Sequence, residues 1–377
     1  MTQNRAPLTF WEKITKQLFF AIWFFAKKIS PDAARQLLYW GISDKALVSQ
    51  PFADPSLHME TLGKTFPNPI GIAAGFDKEV KYNDELIRNG FGFGELGTFT
   101  YKPNHAPQKT HFIPAKRAIL VESESFPNCG IVNLGNKLIA RRRLPHIVGV
   151  NISSSLDIDE RNIGQFLEYL EQDLIHSIQH VAPYCDFITL NLSHPGMPIS
   201  TLIHNPAQLG LLLRQIKQQI KKFAPIITPK LILKIPYDGQ INVQLLSDML
   251  IEEQVDGLIV AGFSASKSIK QILPDPRVKG CIAGEPLKDP STELLRRFYL
   301  ATRGKITLIA CGGVFTGRDA FEKIKAGASL IQLHSAILYE GVEIANKINR
   351  ELSLILRKNG LKSVQEAVGK TAELFSH

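Results

Sequence analysis

The sequence predicts an α/β protein folded as a (β/α)8 TIM barrel with a small two-helix N-terminal extension. Two observations carry that prediction. Eight short apolar runs rich in β-branched residues alternate with longer helical stretches. Such alternation means a parallel sheet, which eight strands close naturally into a barrel. The competing architecture, an open doubly wound sheet, would carry G-x-G-x-x-G after its first strand; Ala74-Gly75-Phe76-Asp77-Lys78 is not that pattern.

The runs, in chain order, are 70–74, 93–97, 147–151, 187–191, 231–234, 257–261, 306–311 and 329–333. Between and after them lie helical stretches over 163–181, 206–223, 243–254, 291–302 and 317–326. Residues 1–50 have a different texture, with one helix around 8–29 and another over 31–42. Ser30-Pro31-Asp32 stops the first and restarts the second, with Pro at the first helical position. The expected organisation is therefore a helical extension, residues 1–50, followed by a barrel over 51–377.

Composition narrows the function. Lys+Arg 44 against Asp+Glu 35 leaves a net charge of +9, which favours an anionic partner such as a phosphate-bearing cofactor or an acidic lipid surface. The dense basic clusters, Arg141-Arg142-Arg143 and Lys217 to Lys222, interleave no aromatics, so they are expected as solvated faces and no nucleic acid is expected as partner. Cys129, Cys185, Cys281 and Cys311 form no C-x-x-C pair, which argues against a zinc ribbon or a disulfide scaffold and for a reducing compartment. His176 and His180 share a helix face without an acid between them, so no metal site is expected.

The longest apolar run near the N-terminus, Leu18 to Ala26, is less than half the roughly 20 residues a bilayer requires. Lys13 and Lys16 precede it, and Lys27 and Lys28 follow. Phe19, Phe20, Trp23 and Phe24 therefore suit a helix lying in a membrane interface, with lysines meeting lipid phosphates. An amphipathic helix packed on its own domain is the alternative.

In a barrel of this class the chemistry sits where strands end. The residues there are Lys78, Thr98, Asn151, Asn191, Lys234, the pair Gly312-Gly313, His334 and Ser335. Lysines and asparagines aimed into one mouth are costly to desolvate without a partner, and a planar, polar, anionic ligand would satisfy them. Gly284, Gly312 and Gly313, with Ser335, offer backbone N–H groups suited to a phosphate.

At these residues the sequence resembles a known family. Pro69 to Lys78 (PIGIAAGFDK), Gly90 to Thr98 (GFGFGELGT) and Gly327 to Leu333 (GASLIQL) look like the dihydroorotate dehydrogenases. The resemblance runs from about Pro31 to Leu354, and the two-helix extension is similar to that of the quinone-dependent class 2 enzymes. It implies an FMN oxidoreductase of pyrimidine biosynthesis that oxidises dihydroorotate to orotate and passes electrons to a quinone through a tunnel between the N-terminal helices. It also implies a peripheral position on the cytoplasmic face of a bacterial inner membrane. The family's FMN contacts fall here on Ala74, Gly75, Lys78, Thr98, Asn151, Asn191, Lys234, Gly284, Gly312, Gly313, His334 and Ser335. Ala283 stands where a serine is common, and His334 where a tyrosine is common.

The substrate side departs further from the family pattern. The loop after the fourth strand reads Asn191-Leu192-Ser193-His194-Pro195-Gly196, where the family has Asn-x-Ser-Ser-Pro-Asn. His194 thus occupies the position of the serine base, and Gly196 replaces an orotate-binding asparagine. Ala261-Gly262-Phe263 replaces Thr-Asn-Thr, and Glu122 replaces the first asparagine of a segment in which only Phe126 and Asn128 survive. The substrate contacts left by the resemblance are Lys78, Phe126, Asn128 and Asn191. Imidazole, with a pKa near 6.5, is a reasonable base, so His194 is the expected catalytic residue. Each lost amide contact costs roughly 1–3 kcal/mol of binding. Two alternatives follow: an oxidoreductase of this fold with another substrate, or a flavin-binding membrane-surface protein that has lost turnover.

Overall fold

The structure is a computed structural model that describes residues 17–19, 21–23, 25–26, 31–43, 47, 49–122, 126–141, 146–155 and 163–372. Lys13, Lys16, Phe20, Phe24, Lys27, Lys28, Ser30 and Arg142-Arg143, which entered the sequence expectations, lie outside the described residues.

All eight apolar runs become strands of one closed barrel. They are β1 (Ile70–Asp77), β2 (Phe93–Phe99), β3 (Val148–Ile152), β4 (Phe187–Asn191), β5 (Lys230–Ile235), β6 (Gly257–Val260), β7 (Thr307–Cys311) and β8 (Leu330–Leu333). Neighbours in sequence are neighbours in the barrel, every pair is parallel, and β8 closes on β1. Strands this short and apolar suit a sheet covered on both faces. The register aligns Asn191 with Lys234 and Gly97 with Asn151, which brings the polar strand ends to one rim.

The other end of the barrel is filled by rings. Phe66, Phe93 and Phe187 meet edge-on, with centroids 5.3 and 6.4 Å apart. Gly71 and Gly149 make room for them: a Cβ would fall 2.3 Å from the Phe93 ring at the first and 1.9 Å from the Phe187 ring at the second. Phe66 comes from a hairpin, Met59–Thr61 with Lys64–Phe66, that the sequence pattern did not reveal.

Helices follow the strands where periodicity placed them, at Ile163–Val181, Pro206–Phe223, Val243–Glu252, Lys288–Thr302 and Gly317–Lys325. Their starts are chemically marked. The Asn205 and Asn242 side chains accept from backbone N–H groups of the first turn, and Thr316 with Asp319 forms a capping box. Lys109–Ile113, Ala118–Glu122 and Cys281–Gly284 form a separate antiparallel sheet, also absent from the sequence reading.

In the N-terminal part, residues 17–19, 21–23 and 25–26 are helical, and a second helix covers Pro31–Ser43. Here one expectation is corrected. Phe19 and Trp23, two members of the expected interfacial stripe, are buried in the same apolar core as the barrel. The outward apolar residues are instead Leu18, Ile22, Phe25 and Trp40, each more than half exposed. Among its described aromatic residues, Phe19 and Trp23 face the protein and Phe25 faces outward. Among the described residues no helix is long and apolar enough to cross a membrane.

Candidate active site

At the strand-end rim lies an open cavity of about 110 Å³. The sequence-derived residues Ala74, Gly75, Lys78, Thr98, Asn191, His194, Lys234, His334 and Phe126 all line it. A smaller chamber of about 20 Å³ is lined by Gly284, Gly312, Gly313 and Ser335. Gly262, Cys311 and His334 belong to both linings, so the chambers adjoin.

The floor of the larger chamber is a polar network. Thr98 Oγ1 donates to Asn151 Oδ1 at 2.7 Å, and Asn191 Nδ2 donates to Thr98 Oγ1 and Asn151 Oδ1 at 2.9 and 3.0 Å. Asn191 Oδ1 accepts from the Ser193 backbone N–H and from Ser193 Oγ at 2.9 and 2.6 Å. The Ser193 hydroxyl is therefore committed to Asn191 and is no substitute for the family's serine base. Asn151 does not line either chamber; it sits beneath, and its Nδ2 donates to Glu95 Oε1 at 3.1 Å.

Glu95 is the residue that the sequence reading missed. It is fully buried inside β2 and accepts from the Ala74 backbone N–H at 3.3 Å and from Gln332 Nε2 at 2.8 Å. Lys234 Nζ lies 4.0 Å from its Oε2. A buried carboxylate needs such a set of donors. The signal was present: an acidic residue inside an otherwise apolar strand run, and a glutamine in another.

Two basic groups face the cavity from β1 and β8. Half-buried Lys78 donates to Gln108 Oε1 at 3.2 Å. Desolvation, and then the Arg35 charge, lower its pKa to about 8. Burial and the charges of Lys234 and Lys78 lower that of His334 to about 4, so its ring is neutral at working pH.

His194 is buried between two rings, Phe126 at 4.9 Å and Phe263 at 6.0 Å, both edge-on. The Gly196 backbone N–H donates to its Nδ1 at 3.1 Å. That bond selects the neutral tautomer with the proton on Nε2, so Nε2 is a donor in the resting ring. Base action at Nε2 would require the other tautomer and cost the Gly196 bond, about 1 kcal/mol.

Two residues depart from their expected places. Asn128 lines neither chamber: its Oδ1 accepts from the Thr100 and Gly130 backbone N–H groups at 3.2 and 2.9 Å, and its Nδ2 donates to Phe126 O at 2.7 Å and Thr100 Oγ1 at 3.0 Å. Its amide holds the loop that carries Phe126. Glu122 also stays out of the cavity lining and pairs with His111 at 3.3 Å, so it adds no repulsion there.

The residues fit a flavin mononucleotide. Gln332 Oε1 is buried without a partner among the described residues, and Gln332 lines the smaller chamber, where a ribityl hydroxyl would satisfy it. Gly312 and Gly313 have φ of +98° and +75°, and a Cβ on Gly313 would lie 2.3 Å from Lys288 Cα. Only glycine adopts that turn without strain.

Comparison with known proteins agrees with this geometry. The dihydroorotate dehydrogenase family model matches residues 56–356. The chain belongs to the dihydroorotate dehydrogenase family. A dihydroorotate dehydrogenase (quinone) of Rhodopseudomonas palustris strain BisA53 is 33% identical over 356 residues, covering 92% of this chain and 94% of that one. The mitochondrial quinone enzyme of Oryza sativa subsp. japonica is 32% identical over 337 residues, covering 84% and 72%. The crystal structure of the Eimeria tenella enzyme in complex with ferulenol superposes with a TM-score of 0.83 at 26% identity, covering 93% of this chain and 99% of that one. Family membership makes the His194, Gly196, Gly262 and Phe263 changes departures within a conserved fold, not signs of another fold.

Proposed function

We propose that this protein is a flavin-dependent dihydroorotate dehydrogenase of the quinone-linked type with a rewritten recognition wall. The observation that carries the reading is the closed polar floor, Thr98, Asn151, Asn191, Lys234 and Glu95, beside a glycine-turned chamber at the strand-end rim. FMN bound there would take a hydride from the substrate and deliver the electrons to a quinone. Lys234 and Asn191 would hold the ring, and the Gly312-Gly313 turn and Ser335 its phosphate. Asn191 would exchange a protein partner for the cofactor, because both of its amide hydrogens are otherwise engaged.

On the substrate side, Lys78 supplies the positive charge for a carboxylate. His194 takes the proton that leaves the carbon adjacent to the hydride donor, after its tautomer shift. Edge-on rings run from the N-terminal helices to the cavity wall: Tyr39 to Phe76 at 5.3 Å and Phe76 to His334 at 6.1 Å. They support a quinone approaching from that side. The exposed Leu18, Ile22, Phe25 and Trp40 would meet the lipid that supplies it, on the cytoplasmic face of a bacterial inner membrane.

Anaerobic mixing of the yellow protein with dihydroorotate, then with a short-chain quinone, tests this. Bleaching followed by recovery of the flavin absorbance is expected. A flavin that dithionite reduces and dihydroorotate does not would contradict it. That outcome would favour the second reading, an oxidoreductase with another substrate, which the Phe126–His194–Phe263 wall supports.

A further inference from the structure

Behind the smaller chamber lies a charge that the site described above leaves unused. Lys323, in the helix Gly317–Lys325, is buried at 1% exposure. Its Nζ donates to the Lys288 carbonyl at 2.9 Å and to Ser291 Oγ. Both partners are neutral. Asp319 on the same helix is taken up by Lys288 at 2.7 Å.

Those two neutral partners hold the glycine turn. Ser291 Oγ bonds to the Gly312 carbonyl at 3.3 Å, and the Lys288 backbone fills the space where Gly313 would carry a Cβ. Gly312 and Gly313 line the chamber. The ammonium is thus one layer behind the cradle, linked to it through the residues that shape it.

Buried charge is expensive without a counter-charge. Here burial first, aided by the Lys288 charge, lowers the Lys323 pKa to about 7, against the pull of Cys311, Asp289 and Asp319. An anion in the chamber would supply what is missing, and across a low-dielectric wall it would act without direct contact.

We propose that Lys323 is the buried counter-charge for a phosphate monoester seated on the Gly312-Gly313 turn, acting through Ser291 and Lys288. It is a positioning residue, and it never touches the ligand. The inference rests on the FMN reading above and adds a residue that the reading does not need.

Lys323→Met tests it, since an apolar side chain of similar length often replaces a buried charge without loss of fold. Full-length protein freed of its flavin is titrated with FMN and with riboflavin, which lacks the phosphate, by fluorescence quenching. The variant is expected to bind FMN roughly 5- to 150-fold more weakly, the usual span of such couplings, with riboflavin affinity unchanged. Equal loss for both flavins, or loss for neither, overturns the inference. If the unmutated protein takes up neither flavin, the FMN reading itself falls. Calorimetry on the unmutated protein near pH 8, in buffers of different ionisation heat, gives a second test free of any folding defect. FMN binding is expected to take up a proton that riboflavin binding does not; equal uptake for both would overturn the inference.

Discussion

On the floor of the cavity, polar groups are held by one another. Thr98, Asn151 and Asn191 share three hydrogen bonds, and Glu95 gathers donors from β1, β3 and β8 with Lys234 beside it. Across the cavity, the wall of Phe126, His194 and Phe263 presents ring edges and one imidazole. The floor is rigid because each group is fixed by others on different strands, so single changes there disturb several partners. The wall is carried by loops, and loops tolerate replacement. Cofactor chemistry can thus stay constant in a barrel whose substrate contacts are rewritten.

The sharpest way to break this division is at its one polar wall residue. Replacing His194 by Ala should slow flavin reduction by substrate roughly 10²- to 10⁴-fold, as loss of a general base does. The bound flavin's spectrum should not change, because the floor is untouched; rapid-mixing absorbance measures both. An unchanged rate would remove His194 from the mechanism.

Changes in the floor should appear in stability as well. Lys234→Met leaves the Glu95 carboxylate without its cation, and stability should fall by about 3 kcal/mol on denaturant unfolding. No wall substitution is expected to match that. Asn128→Ala is the next test, because it separates scaffold from contact. With the Thr100 and Gly130 N–H groups left unpaired, stability should drop by roughly 2 kcal/mol on denaturant unfolding, while the bound flavin's spectrum stays unchanged, since Asn128 lines neither chamber.

A smaller effect sharpens the substrate side. Lys78 carries its charge below pH about 8 and loses it above. The KM for a carboxylate-bearing substrate should therefore rise as pH climbs through that value, by about tenfold in all. Lys78→Met should abolish the rise, which a pH series of KM would show.

The barrel was legible because its strands are short, apolar and separated by periodic helices, and hydrophobic period survives folding unchanged. The cavity floor was legible because barrel topology sends every strand end to one rim. What sequence did not reveal depends on packing between distant segments. Phe19 and Trp23 form an aromatic stripe that suits lipid and protein equally, and only their burial against the barrel core decides between them. Asn128 looks like a ligand contact until its loop folds back on Thr100. Glu95 stands in an apolar strand run where a charge is improbable, and that was its only signal; Lys323 lies in the charged segment Glu322-Lys323-Ile324-Lys325 and carried none.

The most direct test of an intact floor beneath a rewritten wall is flavin bleaching by dihydroorotate under anaerobic conditions, across a range of concentrations. The protein as it stands is compared with a variant carrying Gly196→Asn and Phe263→Thr, which return two family side chains to the wall. The division between floor and wall predicts that both bleach, and that the unmodified protein needs at least about tenfold more dihydroorotate to saturate. Saturation of the unmodified protein at the same or a lower concentration would contradict it.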